Sequence, residues 1–401
     1  MVGFLSTWFG QLLMLAGAAG TLGAIARAGY WFGTQVRQRD LFEEIDDLKS
    51  LLNASREEVS AHRSETLKWK SRSEEAAAGV DVSSAHRKLE NIRSLIDDNR
   101  SVWLRTPTQR FSPRLVRSGG KPILTIANLK GGVGKTTFAV HLAAAFARKY
   151  KVLLIDLDYQ GTASTFLLRA AGFNEDARQS RASQLIAYRG DNAFLEQLPV
   201  SLGRFRPHLS IIPAHYPLAD AEDDLMLRWL IEDEPDDIRY NLSRALQDER
   251  LDYDFIVIDA PPRLTTAMAQ ALAASTHVLI PTQLERKSTE AAIYFSGLVH
   301  QFVEKGVNIN LSLLGIVPNQ VQSQPGYRPQ EVAEMAYLRE QTGRVWPAAD
   351  VVWENAPIYD RVAFSRSNLV FDGTDQVASG MMTRLAAEVV RRTGLEFKGS
   401  S

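Results

Sequence analysis

The chain has 401 residues, of which 45% are hydrophobic and 23% charged, so it is long enough for one large globular domain with an appendage. Its formal net charge is −1, so the overall charge favours neither nucleic acid nor an acidic partner. The sequence contains no cysteine, which excludes disulfides, thiolate nucleophiles, iron–sulfur clusters and cysteine zinc sites.

The first predicted element is a transmembrane anchor over residues 1–33. No Asp, Glu, Lys or Arg occurs between Met1 and Ala26, and a membrane-spanning helix needs about 20 apolar residues. The first charges, from Arg27 to Arg39, are all basic. Because basic residues favour the cytoplasmic side, we predict a single-pass protein of the inner (cytoplasmic) membrane, with the rest of the chain in the cytoplasm. The alternatives are a cleaved signal peptide, a helix buried in the protein and a helix in the membrane interface.

A helical segment is predicted over residues 36–104. Residues from Leu41 to Trp69 follow a 4-3-4-3 spacing of apolar and small side chains, which is a heptad seam that becomes imperfect in its second half. After a break near Gly79, a second amphipathic pattern runs from Leu89 to Trp103. We predict a coiled coil, within one chain or between chains. The alternative is two helices packed on the following domain.

A linker is predicted over residues 105–121. This stretch holds five basic residues, no acidic residue, two prolines and a Gly-Gly pair. Such a composition is typical of a solvated connection between domains. Contact of its positive charge with anionic lipid headgroups is the alternative.

The region of residues 122–395 is predicted to be an α/β domain. Short β-branched runs alternate there with helical stretches, and this rhythm predicts a mostly parallel sheet with helices on both faces. The candidate strands are Ile123–Asn128, Val152–Asp156, Leu209–Ile212, Phe255–Asp259, His277–Pro281 and Leu313–Val317.

A phosphate-binding loop is predicted between the first strand and the first helix of this domain. The strand runs into Lys130-Gly-Gly-Val-Gly-Lys-Thr-Thr137, and an apolar helix follows. Glycines let successive backbone N–H groups face one anion, and the helix N-terminus adds its dipole. Lys135 would neutralise the β- and γ-phosphates, and the Thr136 hydroxyl would ligate Mg²⁺. The predicted nucleotide-binding residues are Gly131, Gly132, Val133, Gly134, Lys135, Thr136 and Thr137.

Carboxylates end two of the other predicted strands. Asp156 and Asp158 are two residues apart, so they point the same way as their strand ends. Asp259 ends the apolar strand Phe255–Asp259, which has the form of a Walker B strand that holds the metal and its water shell. The metal site is therefore predicted to comprise Thr136, Asp156 and Asp259.

These motifs carry a family resemblance. The loop of residues 130–137 resembles the deviant Walker A motif of the ParA/MinD ATPases (SIMIBI class), while residues 155–161 and Phe255–Pro262 are similar to two further motifs of that family. Glu354–Pro357 is similar to a family turn near the base. The likeness extends over about residues 121–393. It departs from the family at Tyr159, where a proline is often found.

The resemblance implies a P-loop fold that hydrolyses ATP to ADP and phosphate with Mg²⁺ as cofactor. It also implies a homodimer in the ATP state, in which Lys130 reaches the partner's phosphates and acts in catalysis with Lys135. Asp158 would position the attacking water, and Asn319 would read the adenine.

The leading functional hypothesis is an ATP-dependent dimerisation switch at the cytoplasmic membrane that positions or recruits an unknown protein partner. A bacterial tyrosine kinase-like ATPase is the first alternative, although residues 395–401 contain no tyrosine cluster. A DNA or plasmid partition ATPase is the second. It would need a basic surface, to which Arg391-Arg392 alone would contribute little.

Overall fold

The computed structural model describes residues 89–90, 93, 101–107, 120–173, 180–190, 194–203, 205–231, 236–321, 327–347, 351–353, 358–359 and 376–394. All of them belong to the second of two compact units, Arg87–Ser401. The predicted anchor over residues 1–33, nearly all of the predicted coiled coil and the turn of residues 354–357 lie outside the described residues. Among the helices that are described, none is long and apolar enough to cross a membrane.

The centre of the domain is an eight-stranded sheet in the order β3-β4-β2-β5-β1-β6-β7-β8. Only the β3–β4 pair is antiparallel, and the other pairs are parallel. The strands are β1 Ile123–Ile126, β2 Val152–Asp156, β3 Val200–Ser201, β4 Leu209–Ile212, β5 Phe255–Asp259, β6 His277–Thr282, β7 Ser312–Val321 and β8 Ile358–Tyr359.

Helices cover both faces of the sheet, because alternate residues of the central strands enter one or the other of two apolar cores. Ile123 and Leu153 belong to one core, whereas Leu124 and Leu154 belong to the other. The helices are α1 Lys135–Phe146, α2 Thr162–Ala170, α3 Arg181–Ile186, α4 Pro217–Ile231, α5 Asn241–Gln247, α6 Thr266–Ala274, α7 Arg286–Glu304, α8 Pro329–Val345 and α9 Gln376–Thr393. Helices α1, α2 and α9 pack on one face and α3 to α8 on the other. The predicted α/β fold with a mostly parallel sheet is confirmed.

The strand register places the chemistry-bearing residues at one edge of the sheet. Asp156 at the end of β2 lies opposite Asp259 at the end of β5, and Asp259 lies opposite Ile126 at the end of β1. The loop after β1 therefore begins beside both carboxylates. This carboxyl edge is where parallel α/β sheets bind their ligands.

The segment before β1 differs from its prediction. Leu89, Glu90 and Arg93 are helical, as expected, but Val102–Leu104 is a separate 3₁₀ helix whose N-cap is Ser101. Its Trp103 and Leu104 are buried in the core of the α/β domain. That core therefore begins before residue 122, although apolar spacing assigned Trp103 to the preceding helical segment.

The predicted linker of residues 105–121 is attached to the domain at both ends. The Arg105 carbonyl accepts a hydrogen bond from the Arg239 guanidinium at 2.7 Å. Lys121 Nζ donates to the Leu251 carbonyl at 2.6 Å. Residues 108–119, which include most of its basic side chains, lie outside the described residues.

Candidate functional site

The loop after β1 is tied to the neighbouring strand β6. The Ala127 N–H donates to the Leu279 carbonyl at 3.1 Å, and the Asn128 amide donates to the Pro281 carbonyl at 2.9 Å. The Asn128 side-chain oxygen in turn accepts from the Lys130 N–H at 3.0 Å. These bonds fix where the chain leaves the sheet and turns toward α1.

Two glycines of this loop adopt backbone angles that other residues rarely adopt. Gly132 has φ +77° and Gly134 has φ +96°. A β-carbon at Gly134 would also overlap the side-chain amide of Asn319. The loop therefore requires glycine at Gly134 both for its conformation and for space.

Lys135 is the first residue of α1, and it is only 8% exposed. Its ammonium donates to the Lys130 carbonyl at 3.0 Å. Burial lowers the pKa of Lys135, while the carboxylates of Asp259 and Asp158 oppose this effect. A desolvated ammonium at a helix N-terminus interacts strongly with a phosphate, because little water competes for it.

Asp259 is a buried carboxylate whose two oxygens have no hydrogen-bond partner of good geometry within the described part of the chain, although the Thr136 hydroxyl lies close to it. Burial, followed by the charge of Asp156, raises the pKa of Asp259 well above its usual range. The hydroxyl of Thr136 and the ammonium of Lys135 act in the opposite direction. An unpartnered carboxylate beside a hydroxyl provides the hard oxygen ligands that Mg²⁺ prefers, so these residues fit the predicted cation.

The structure gives Asp156 a structural task in addition to its predicted place in the metal site. One of its oxygens accepts from the Ser164 N–H at 2.9 Å and the Ser164 hydroxyl at 2.7 Å. Its other oxygen accepts from the Asp158 N–H at 3.1 Å. The carboxylate thus holds the start of α2 and the loop that carries Asp158. Asp156 is therefore a positioning residue for this loop, and its part in the metal site stays a prediction.

A pocket of about 320 Å³ opens at this edge of the sheet. Most of its lining residues were predicted, namely Gly131, Gly132, Gly134, Lys135, Thr136, Thr137 and Asp158, and sequence reasoning did not assign the other two, Pro262 and Gln320. Pro262 closes the Walker B motif, which was the available signal for it. Gln320 has φ +56°, and no sequence pattern indicated that conformation.

Lys130 is not among the residues that line this pocket. Its ammonium forms an ion pair with Glu285, the residue immediately before α7. The two side chains are 28% and 53% exposed, respectively. The side chain of Lys130 is therefore directed away from the phosphate loop of its own chain, while its backbone carbonyl supports Lys135.

Asn319, which is predicted to read the adenine, contacts the phosphate loop in the structure. Its side chain is only 4% exposed, and its amide donates to the Val133 carbonyl at 2.8 Å. The Asn319 side chain therefore stabilises the phosphate loop through its hydrogen bond to the Val133 carbonyl. Val133 itself is fully buried, so it contributes to the loop's packing rather than to the pocket wall.

Comparison with known proteins relates the chain to a family of ATPases. Residues 121–313 match the AAA domain family. The chromosome partitioning protein ParA of Myxococcus xanthus is 32% identical over 254 residues, which cover 62% of this chain and 81% of the relative. The sporulation initiation inhibitor protein Soj of Bacillus subtilis is 31% identical over 242 residues, which cover 60% and 88%, respectively.

Solved structures share the fold. The ATP complex of a Cyanothece McdA variant has a TM-score of 0.56 at 22% identity, covering 70% of this chain and 99% of its own. Cobyrinic acid a,c-diamide synthase from Mycobacterium smegmatis, with an ATP analogue and magnesium, has a TM-score of 0.51 at 24% identity. It covers 70% of this chain and 100% of its own.

A glycine loop at the end of β1, a buried lysine and a carboxylate on the adjacent strand define a P-loop nucleotide hydrolase. More particularly, the identity with ParA and Soj shows that the chain belongs to the ParA family of ATPases. The predicted ATPase activity, and ATP as its substrate, are confirmed.

Proposed function

We propose that this ATPase is a dimerisation switch held at the cytoplasmic membrane by residues 1–33, where its ATP-bound form positions or recruits a partner protein. One observation carries the switch: Lys130 lies beside the phosphate loop but outside the pocket of its own chain, in an exposed ion pair. The anchor is supported by the run of residues from Met1 to Ala26 that contains no Asp, Glu, Lys or Arg.

The chain's residues suit phosphoryl transfer from ATP to water. The N–H groups of the loop would surround the phosphates, and Lys135 would neutralise their negative charge. Thr136 and Asp259 would hold Mg²⁺, which supplies further charge neutralisation when bound. Asp158, which lines the pocket, would orient the attacking water. Catalysis would then depend mainly on positioning and electrostatic stabilisation.

The ion pair of Lys130 can be exchanged at low cost. Exposed ion pairs contribute about 0–1 kcal/mol to stability, and Glu285 is more than half exposed. Transfer of the Lys130 ammonium to the phosphates of a second chain would give a stronger, partly desolvated contact. ATP would thereby favour a dimer in which each chain completes the site of the other.

A partition ATPase is the second candidate, because the names of two relatives refer to chromosome partitioning and to sporulation. Such an activity would need a basic surface for DNA. The basic residues considered for it, Arg391 and Arg392, both pair with Glu388. Their charge is therefore partly neutralised, which favours the membrane switch over DNA binding.

The anchor can be tested by fractionating cells that express the full chain. We expect the protein in the membrane fraction, resistant to alkaline carbonate and released by detergent, because a spanning helix buries about 20 apolar residues. Recovery in the soluble fraction without detergent, or extraction by carbonate, would refute the anchor. The ATPase assignment would be unaffected by that result.

The dimer mechanism can be tested by mixing two inactive variants of the full chain in detergent. Lys130→Ala should bind ATP without completing a partner's site, whereas Lys135→Ala should bind ATP poorly but still carry Lys130. If Lys130 acts across the dimer, the mixture should regain ATP turnover that neither variant has alone. Full activity of Lys130→Ala, or a mixture as inactive as its components, would overturn the mechanism.

The partner can be sought among proteins that copurify with the detergent-solubilised chain. Wild type should retain the partner with a slowly hydrolysed ATP analogue and release it with ADP. Lys135→Ala should behave the same with either nucleotide. Nucleotide-dependent retention of DNA instead of protein would favour the partition ATPase.

A further inference from the structure

The ATPase domain holds the chain's own residues Ser101–Arg105 in a socket formed by Trp229, Asp237 and Arg239. Arg239 is fully buried, and its guanidinium donates to the carbonyls of Trp103 at 2.8 Å and Arg105 at 2.7 Å. The Asp237 carboxylate accepts from its Nε at 2.9 Å and its Nη2 at 2.5 Å. The buried guanidinium of Arg239 is thus paired with the Asp237 carboxylate. Its Nη1 donates to the docked segment.

Aromatic stacking completes the socket. The rings of Trp103 and Trp229 stack with centroids 5.8 Å apart and an interplanar angle of 17°. The Arg105 guanidinium lies 3.6 Å from the centroid of the Trp229 ring. Ser101 caps the docked 3₁₀ helix by accepting a hydrogen bond from the Trp103 N–H at 3.3 Å. These contacts are specific and partly buried, so the segment is anchored rather than passing over the surface.

Trp229 belongs to the last turns of α4, and the region just before α4 contacts the nucleotide site. The Ala214 N–H donates at 3.0 Å to the Ser164 hydroxyl, which itself donates to Asp156. A β-carbon on Gly161, the residue before α2, would lie only 2.6 Å from the Ala214 carbonyl oxygen. The chain before α4 is therefore packed tightly against the loop that carries Asp158.

The middle of α4 is hydrogen-bonded to the first turn of α6. The buried Glu222 carboxylate accepts from the Ala267 N–H at 2.7 Å, and the Thr266 hydroxyl donates to the Glu222 carbonyl at 2.9 Å. Both partners belong to the first turn of α6, which closely follows Pro262, a residue of the pocket lining. The α4 helix and the residues just before it thus contact the elements that follow Asp158 and Pro262, two residues of the pocket lining, and α4 also contacts the docked segment.

We infer that α4 couples docking of Ser101–Arg105 to nucleotide binding. When this segment is docked, α4 holds the Asp158 loop and Pro262 in the geometry that binds nucleotide. Because binding free energies are linked reciprocally, nucleotide binding tightens the docking by the same factor. The coupling makes the N-terminal region responsive to nucleotide state. It is independent of whether that region spans a membrane.

The first test compares the ATP affinity of full-length variants in detergent. Arg105→Ala removes the side chain stacked on Trp229 and leaves the buried residues in place. We expect its ATP dissociation constant to rise several-fold, in keeping with coupling energies between sites of about 1–3 kcal/mol. Arg392→Ala is the matched control, because Arg392 also stacks on a buried tryptophan, at 4.4 Å from the Trp353 centroid, and donates to a backbone carbonyl. Its ATP affinity should equal that of wild type.

The second test measures docking directly. Since the chain has no cysteine, Val102→Cys provides a single thiol in the docked segment. A maleimide should label it several-fold more slowly with a non-hydrolysed ATP analogue than without nucleotide. Adding Arg105→Ala should speed labelling and abolish the difference. Equal labelling rates in all nucleotide states, or unchanged or tighter ATP binding by a folded Arg105→Ala chain, would overturn the coupling.

Discussion

Replacing Asp259 by asparagine should make the ATPase domain more stable while abolishing its catalysis. The carboxylate is buried, lacks a hydrogen-bond partner among the described residues and faces the charge of Asp156. Leaving a buried polar group unsatisfied costs about 1–3 kcal/mol, and a charged group costs more than a neutral amide. In the absence of Mg²⁺ and nucleotide, we expect the variant to gain about 1–3 kcal/mol in its free energy of unfolding at pH 8.

The pH dependence of this gain follows from the direction of the pKa shift. The pKa of Asp259 is raised in the folded protein, so the folded state binds its proton more tightly than the unfolded state does. Its contribution to stability is present at low pH and is lost as the pH rises through the folded pKa. The advantage of Asp259→Asn should therefore be largest at pH 8 and disappear under acidic conditions, where the wild-type carboxyl is protonated.

Urea denaturation of both proteins in EDTA, at pH 8 and at mildly acidic pH, measures the effect. Asp223→Asn is the control, since it makes the same chemical change at an exposed position of α4, where the stability change should be small. Magnesium-dependent ATP turnover should fall at least about a hundredfold in Asp259→Asn and not in the control. Lower stability of Asp259→Asn in EDTA, or retained turnover, would refute the assignment of Asp259 as the cation ligand.

Gly134→Ala should destabilise the domain by about 2 kcal/mol or more and abolish ATP binding, because its φ is +96° and its β-carbon would overlap Asn319. Gly343→Ala is the control: its β-carbon meets no neighbouring atom, so it should be neutral or stabilising in the same urea denaturation. Glu285→Gln should change the urea midpoint little, since it removes an exposed ion pair and keeps an amide oxygen that can accept from the Ser288 hydroxyl; a large loss of stability would contradict the exchangeable role of Lys130. Burial lowers the pKa of His277 to about 4, below its unfolded value. Stability is therefore lost as the pH falls, by about 2 kcal/mol between pH 8 and pH 5. His277→Gln should remove that part of the pH dependence; an unchanged dependence would count against the burial of a neutral imidazole.

The phosphate loop could be predicted because its chemistry is local. Its glycines, Lys135 and Thr136 are contiguous, and the flanking strand and helix follow from apolar runs on either side. The strands β2, β4 and β5 were predicted with their observed bounds for a similar reason, since buried parallel strands are predominantly apolar runs, with Ser210 as the polar residue inside β4. The two-residue strands β3 and β8 are too short to produce such a signal.

The roles of Asp156 and Asp259 could not be separated from the sequence. Both follow an apolar run and end a parallel strand, so the sequence signal is the same. Their difference arises from Ser164, whose N–H and hydroxyl both donate to Asp156. No such pair of donors reaches the Asp259 carboxylate within the described part of the chain. Asn319 is a similar case, because only the folded chain brings its amide to the Val133 carbonyl.

The position of Trp103 shows what apolar spacing omits. Spacing predicts which residues share a face of a helix but does not identify what covers that face. Here the covering surface is supplied by Trp229 and Arg239, more than a hundred residues later in the chain. The docking therefore depends on tertiary contacts of high sequence separation, which no local pattern in residues 36–104 could indicate.

These contacts determine which form of the protein can report on dimerisation. A chain beginning at Lys121 would lack both carbonyls that accept from Arg239 and would expose the face of Trp229 that Trp103 covers. Each lost partner of a buried charged group costs about 1–3 kcal/mol, a large share of a domain's total stability. If such a fragment failed to dimerise, the cause could be a destabilised α4 or the loss of the Lys130 contact, and the experiment would not distinguish the two. The role of Lys130 must therefore be tested in chains that retain Ser101–Arg105, and mixing full-length variants meets this requirement.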